Sequence, residues 1–165
     1  MQNVLTSARI ILVPVFLFLL LEGLRYLATG LFALLAITDW LDGYIARHTG
    51  QVTLWGKVMD PIADKILVLG ALVGLVELGK VSSFPVLLIG GRELLVSGFR
   101  LLERERTGEA FPVSFLSKWK TAIQMGAILL YLLEWPGRGL LLWGAVAITL
   151  WTGWEYGKHV SAKAG

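Results

Sequence analysis

Four aspartates crowd one short stretch of the chain: Asp39, Asp42, Asp60 and Asp64 all fall within residues 38–65. Asp39 and Asp42 are three apart, and Asp60 and Asp64 are four apart. On a helix, either spacing puts both members on one face. Converging carboxylates repel one another. Placed in a bilayer centre, each costs about 2.5–3.5 kcal/mol on insertion scales. Such a cluster persists when a cation sits inside it, and hard oxygen donors select Mg²⁺, Mn²⁺ or Ca²⁺ over zinc. The chain has no Cys, so thiolate metal sites, cysteine nucleophiles and disulfides are excluded. The competing reading is four solvated charges at helix ends, with Asp60 and Asp64 favoured by a helix N-terminus. The residues between the acids favour the cluster. Gly43 allows a ligand to approach the backbone, and Ala46 is also small. Arg47 follows Gly43 by one turn and is suited to a phosphate. Gly56 precedes Asp60 by one turn. Taken alone, Gly43 is equally explained by helix packing.

The elements that must hold these residues are apolar helices. The 165-residue chain is 56% apolar and only 16% charged, with a net charge of +3. Its mean hydropathy is +0.70. A soluble domain of this size and composition would expose large apolar patches, which excludes an ordinary cytosolic enzyme as well as a disordered or collagen-like chain. Uncharged runs at 10–21, 26–38, 66–76, 81–91, 121–133 and 139–154 all stop short of the ~18 residues that mark a span unaided. Extended over their flanking charges, they predict six transmembrane helices near 7–22, 25–47, 58–79, 84–105, 116–134 and 138–157. The expected fold is therefore all-α, an integral membrane protein with a single transmembrane catalytic domain over 1–165. Segments 48–51, 79–83 and 134–138 contain Gly or Pro-Gly and are predicted turns.

Six spans put both termini on one side. With the N-terminus inside, only Arg25, Lys80 and Arg138 of the 15 basic residues lie outside. That bias predicts a multi-pass protein of the cell (inner) membrane with its acids facing the cytoplasm. Trp and Tyr gather at both predicted interfaces. The first run carries Arg9 and twelve apolar residues, like a signal peptide. No small-x-small site follows directly and Glu22 comes next, so this run is expected to stay as a span.

The pattern Asp39-x2-Asp42-Gly43-x2-Ala46-Arg47-x8-Gly56-x3-Asp60-x3-Asp64 resembles the full signature of the CDP-alcohol phosphatidyltransferases. All eight positions match, and the six-helix layout extends the resemblance over the whole chain. The resemblance implies metal-dependent transfer of a phosphatidyl group from CDP-diacylglycerol to an alcohol, with release of CMP. It implies Mg²⁺ or Mn²⁺ on Asp39, Asp42 and Asp60. Asp64 is then the base for the acceptor hydroxyl or a further ligand. Gly43, Ala46, Arg47 and Gly56 would border the CDP-diacylglycerol, as would Asn3, Thr6 and Arg9 near the N-terminus. A homodimer is also implied, and no nucleic-acid partner is expected.

Softer similarity lies in 3–9, 91–97 and 120–125. These segments resemble the branch of the family that uses sn-glycerol 3-phosphate and makes phosphatidylglycerophosphate. A phosphorylated acceptor suits Arg92, Arg100, Lys118 and Lys120, because an arginine within a span needs an anionic partner. An ion pair of Arg92 with Glu93 would meet the same need. Gly70-x3-Gly74 permits close helix contact, either in a dimer or within one chain. Rival readings are another acceptor (inositol phosphate, serine or phosphatidylglycerol), a small cation transporter, and a structural membrane subunit. Transporters often show internal repeats, and none is visible here. A structural subunit would not need four acids at fixed spacing.

Overall fold

The computed structural model describes the backbone of residues 2–49, 54–107 and 115–164, and side chains over 7–39, 41, 62–63, 65–99, 102 and 119–158. Six helices follow in order: α1 (Gln2–Leu21), α2 (Arg25–Thr49), α3 (Leu54–Glu77), α4 (Ser83–Thr107), α5 (Phe115–Leu132) and α6 (Arg138–Ala164). The fold is all-α, and the described residues contain no strand. Each helix matches one expected from the apolar runs, but several ends lie elsewhere. α1 starts at Gln2 rather than residue 7, α3 at Leu54 rather than 58, and α6 reaches Ala164 rather than 157. Helical hydrogen bonding does not stop where hydropathy does, and the added ends contain good helix formers such as Gln, Lys and Ala.

Three helices stop in the same way. Gly23 (φ 79°) follows α1, Gly79 (φ 65°) follows α3, and Glu134 (φ 55°) follows α5. At α1, Leu24 N donates to Leu19 O at 2.9 Å, and Gly23 N donates to Leu20 O. At α3, Lys80 N donates to Leu75 O at 2.9 Å, and Gly79 N donates to Val76 O. At α5, Trp135 N donates to Leu130 O at 2.9 Å, and Glu134 N donates to Tyr131 O. These are Schellman ends, in which a left-handed residue turns the chain and satisfies the last carbonyls. Glycine adopts that conformation freely, whereas a side chain there costs roughly 1–2 kcal/mol. Glu134 is held by partners: its carboxylate pairs with Arg25 and, at 2.6 Å, with Lys80.

The chain divides into two compact units, Met1–Val81 with Ile128–Pro136, and Ser82–Ala127 with Gly137–Gly165. In the first, α1 packs against both α2 and α3. Phe16 of α1 meets Phe32 of α2 with ring centroids 5.6 Å apart. On the α3 side, the two small residues Gly70 and Gly74 receive α1. A Cβ on Gly74 would stand 2.8 Å from Leu17 Cδ2, and one on Gly70 would stand 3.0 Å from Val13 Cγ1. The small-x3-small pattern therefore serves contact within one chain. In the second unit α4 packs against α6. The buried face of α6 runs through Leu142, Ala145, Val146, Thr149, Thr152 and Tyr156, at the three- and four-residue steps of one helix face.

The outward faces are apolar as well. Leu140 is 82% exposed, and Ile11, Phe18, Leu27, Leu87, Trp143 and Trp151 are all exposed. Among the described residues, no helix is long and apolar enough to cross a membrane. Charges cut the runs: α4 carries Arg92 and Glu93 midway, and the longest uncharged run of α6 is 139–154.

Candidate active site

The acids lie on two helices that share α1 as their packing neighbour. α2 continues unbroken through Asp39 and Asp42, and α3 begins at Leu54 and runs unbroken through Asp60 and Asp64. Each pair therefore has one helical face. Thr38, just before the first acid, turns its hydroxyl back to Leu34 O and Leu35 O, both at 2.9 Å.

Asp39 is the acid whose side chain is described. Its carboxyl is 25% exposed and takes an ion pair from Arg9 of α1, Nη1 to Oδ1 at 2.7 Å. Arg9 is 3% exposed. Burying a guanidinium without a counter-charge is strongly unfavourable, so the pair ties α1 to the first acid of the motif. Sequence reasoning set Arg9 near the nucleotide and missed this partnership. The signal available was a lone arginine at the head of an apolar run.

The side chains of Asp42, Asp60 and Asp64 lie outside the described residues, as do those of Asn3, Thr6, Gly43, Ala46, Arg47 and Gly56. Their backbone positions within α1, α2 and α3 are described. Among the described residues no group of three or more His, Asp or Glu is gathered to hold a metal. The motif offers carboxylate oxygens alone, a donor type that suits a hard divalent ion rather than a soft one, and Oδ1 of Asp39 is taken by Arg9.

The second unit holds a buried polar cluster. Arg92, Glu93, Lys120, Gln124, Thr149 and Thr152 are all buried. Glu93 of α4 accepts from two cations at one oxygen: Lys120 Nζ of α5 at 2.5 Å and Arg92 Nη1 at 3.3 Å. Arg92 Nη2 donates to Thr152 Oγ1 of α6 at 2.8 Å. Thr152 in turn donates to Ile148 O and Thr149 O. Gln124 Nε2 donates to Thr149 Oγ1 at 2.9 Å. Gly153 seats the arginine, since an added Cβ there would lie 3.0 Å from Arg92 Cγ.

Two of the four residues expected to hold an acceptor phosphate, Arg92 and Lys120, are thus brought together, with Glu93 between them. The Arg92–Glu93 pair weighed from the sequence is present. The side chains of Arg100 and Lys118 lie outside the described residues. The partners that sequence reasoning missed, Gln124, Thr149 and Thr152, are uncharged polar residues within apolar runs, and that placement was their one visible signal.

A sequence model of the CDP-alcohol phosphatidyltransferase family matches residues 1–151. The chain is 37% identical to the CDP-diacylglycerol–glycerol-3-phosphate 3-phosphatidyltransferase of Bacillus subtilis, over 94% of this chain and 92% of that one. It is 42% identical to the protein of the same name from Rickettsia typhi, over 96% of this chain and 95% of that one. It is 38% identical to a probable phosphatidylglycerophosphate synthase of Mycobacterium tuberculosis, over 94% of this chain and 79% of that one.

Proposed function

The chain belongs to the CDP-alcohol phosphatidyltransferase family, and on that premise we propose that it transfers the phosphatidyl group of CDP-diacylglycerol to sn-glycerol 3-phosphate. The products are phosphatidylglycerophosphate and CMP, a step of phospholipid biosynthesis. The observation that carries the reading is the acid motif on two unbroken helices, in a chain whose relatives, named for this reaction, match it almost end to end.

We place the protein in the cell (inner) membrane as one multi-pass catalytic domain over 1–165, with the acids facing the cytoplasm. Its inverted surface supports this: leucines and tryptophans face outward while Arg9, Arg92, Glu93 and Lys120 are buried. Intramembrane charges face the interior of a helix bundle and find partners there.

Asp39, Asp42 and Asp60 would hold Mg²⁺ or Mn²⁺. An ion held there would supply positive charge against the pyrophosphate of the donor and the CMP leaving group. Arg9 fixes the Asp39 carboxylate by its ion pair. Arg47 adds a phosphate contact, and Gly43 leaves room for the donor beside the backbone. Asp64 takes the proton of the acceptor hydroxyl. The hydroxyl oxygen then bonds to the β-phosphorus as the bond to CMP breaks. Arg92, Arg100, Lys118 and Lys120 provide the cationic surroundings for the acceptor phosphate, with Glu93 holding Arg92 and Lys120 in place.

The test is to incubate purified protein with CDP-diacylglycerol, Mg²⁺ and candidate alcohols, then identify the lipid product. Glycerol 3-phosphate is expected to give phosphatidylglycerophosphate, and plain glycerol far less product. A preference for serine or inositol phosphate overturns the acceptor and leaves the family intact.

A further inference from the structure

A cavity of about 1260 Å³ opens between α4 and α6. Its lining runs from Leu87 to Phe99 on α4 and from Ala147 to Lys158 on α6. At 1.5 Å per residue these stretches are roughly 16–18 Å long. That is close to one leaflet of a hydrocarbon core about 30 Å thick. The walls are apolar, as at Leu88, Leu95, Phe99 and Leu150. Glycines carve the space: an added Cβ on Gly91 or Gly157 would meet nothing within 4 Å.

Among the described residues of the lining, those that carry a charge are Arg92 and Lys158, both cationic. Arg92 is committed to Glu93 and Thr152. Lys158 is exposed, with Nζ 5.6 Å from the centroid of the Trp154 ring. It closes the C-terminal end of the α6 lining, on the side that the basic residues assign to the cytoplasm. A slot of leaflet length with a tryptophan and an exposed ammonium at its inner end complements a long apolar chain with an anionic head.

We propose that this groove binds one anionic diacyl phospholipid of the cytoplasmic leaflet, a resident lipid that the reaction does not consume. One acyl chain lies between α4 and α6, and the headgroup phosphate meets Lys158. This inference rests on the membrane placement given above.

The test uses the full chain purified from membranes in a mild detergent. Native mass spectrometry counts the retained lipid, and rebinding compares phosphatidylglycerol with phosphatidylcholine. The wild type is expected to retain one anionic phospholipid and to prefer it at least about fivefold. Lys158→Gln is expected to cut that preference about fivefold, the worth of one basic residue near an anionic surface. Gly157→Leu, which fills open space, is expected to lose both lipids while its melting temperature stays near wild type. Equal retention of the two lipids overturns the proposal. So does displacement by stoichiometric CDP-diacylglycerol, which would make the groove the donor's seat. A dimer that Gly157→Leu dissociates also overturns it, because the occupant would then be a second copy. A chain that leaves the membrane fraction without detergent overturns the membrane placement itself, whereas a membrane-borne chain without lipid preference overturns only the groove.

Discussion

Lys120 of α5 places its ammonium 2.5 Å from Glu93 Oε1 of α4, and both residues are buried. Glu93→Gln removes the counter-charge of a buried lysine and also weakens the hold on Arg92. Breaking a buried pair from one side costs about 3–5 kcal/mol, so a large fall in melting temperature in detergent is expected. Glu93→Leu combined with Lys120→Met removes that pair but also takes Glu93 from Arg92, which keeps its bond to Thr152, and should recover part of that loss. A double variant as unstable as Glu93→Gln would show that packing, not charge, holds this site.

The acids of the motif are expected to divide by role. Asp42→Asn should lose both CDP-diacylglycerol binding and turnover. Asp64→Asn should lose turnover by ~10²–10⁴-fold, the reach of general-base catalysis, while donor binding largely survives. EDTA should abolish turnover, and Mg²⁺ or Mn²⁺ should restore it. Donor affinity and rate, measured on both variants, separate a base from a ligand. Equal loss of binding in the two would make Asp64 a ligand first.

The α1–α3 contact has little room to spare. Gly74→Val and Gly70→Val push a side chain into Leu17 and Val13, and overpacking of this kind costs about 1–3 kcal/mol. Gly126→Ala is the control. Among the described residues its Cβ would meet Leu141 Cδ2, at an ordinary 3.7 Å, and alanine improves helix propensity by ~1 kcal/mol. Thermal unfolding should rank Gly126→Ala at or above wild type and both valine variants below it.

Glu134 ionises far more readily than an ordinary glutamate. Hydrogen bonds from Lys80 and then Arg25 lower its pKa from 4.5 to about 2. A depressed carboxyl contributes stability that is complete above its unfolded value and is lost as pH falls through its folded one. Wild type should therefore melt above Glu134→Gln at pH 6. The gap should shrink between pH 4.5 and 2, and added salt should narrow it at every pH because the cluster is exposed. A gap independent of pH would assign the difference to the backbone at Glu134 instead.

Much of this architecture was visible in the residues. Uncharged runs of ten or more marked all six helices, because a helix satisfies the backbone groups of an apolar run within the segment itself. Gly79 and Pro136-Gly137 marked two of the turns by their own conformational habits. Glu134 at a left-handed position was not visible, because its tolerance depends on Arg25 and Lys80, far away in sequence. Gly70 and Gly74 showed that something packs closely, but only coordinates identify α1. The acid motif was legible as spacing. The Arg9–Asp39 pair was not, since no local pattern links residues so far apart.

That pair also has a consequence in time. Arg9 is made thirty residues before Asp39. At ~5–20 residues per second, the ribosome needs roughly two to six seconds to supply the counter-charge. During that interval α1 holds a guanidinium that its own helix cannot neutralise. The first helix therefore lacks this partner until the second has been made through residue 39. A nascent chain arrested before residue 39 should stay bound to whatever shelters its arginine, and one arrested after the whole of α2 has emerged should be released.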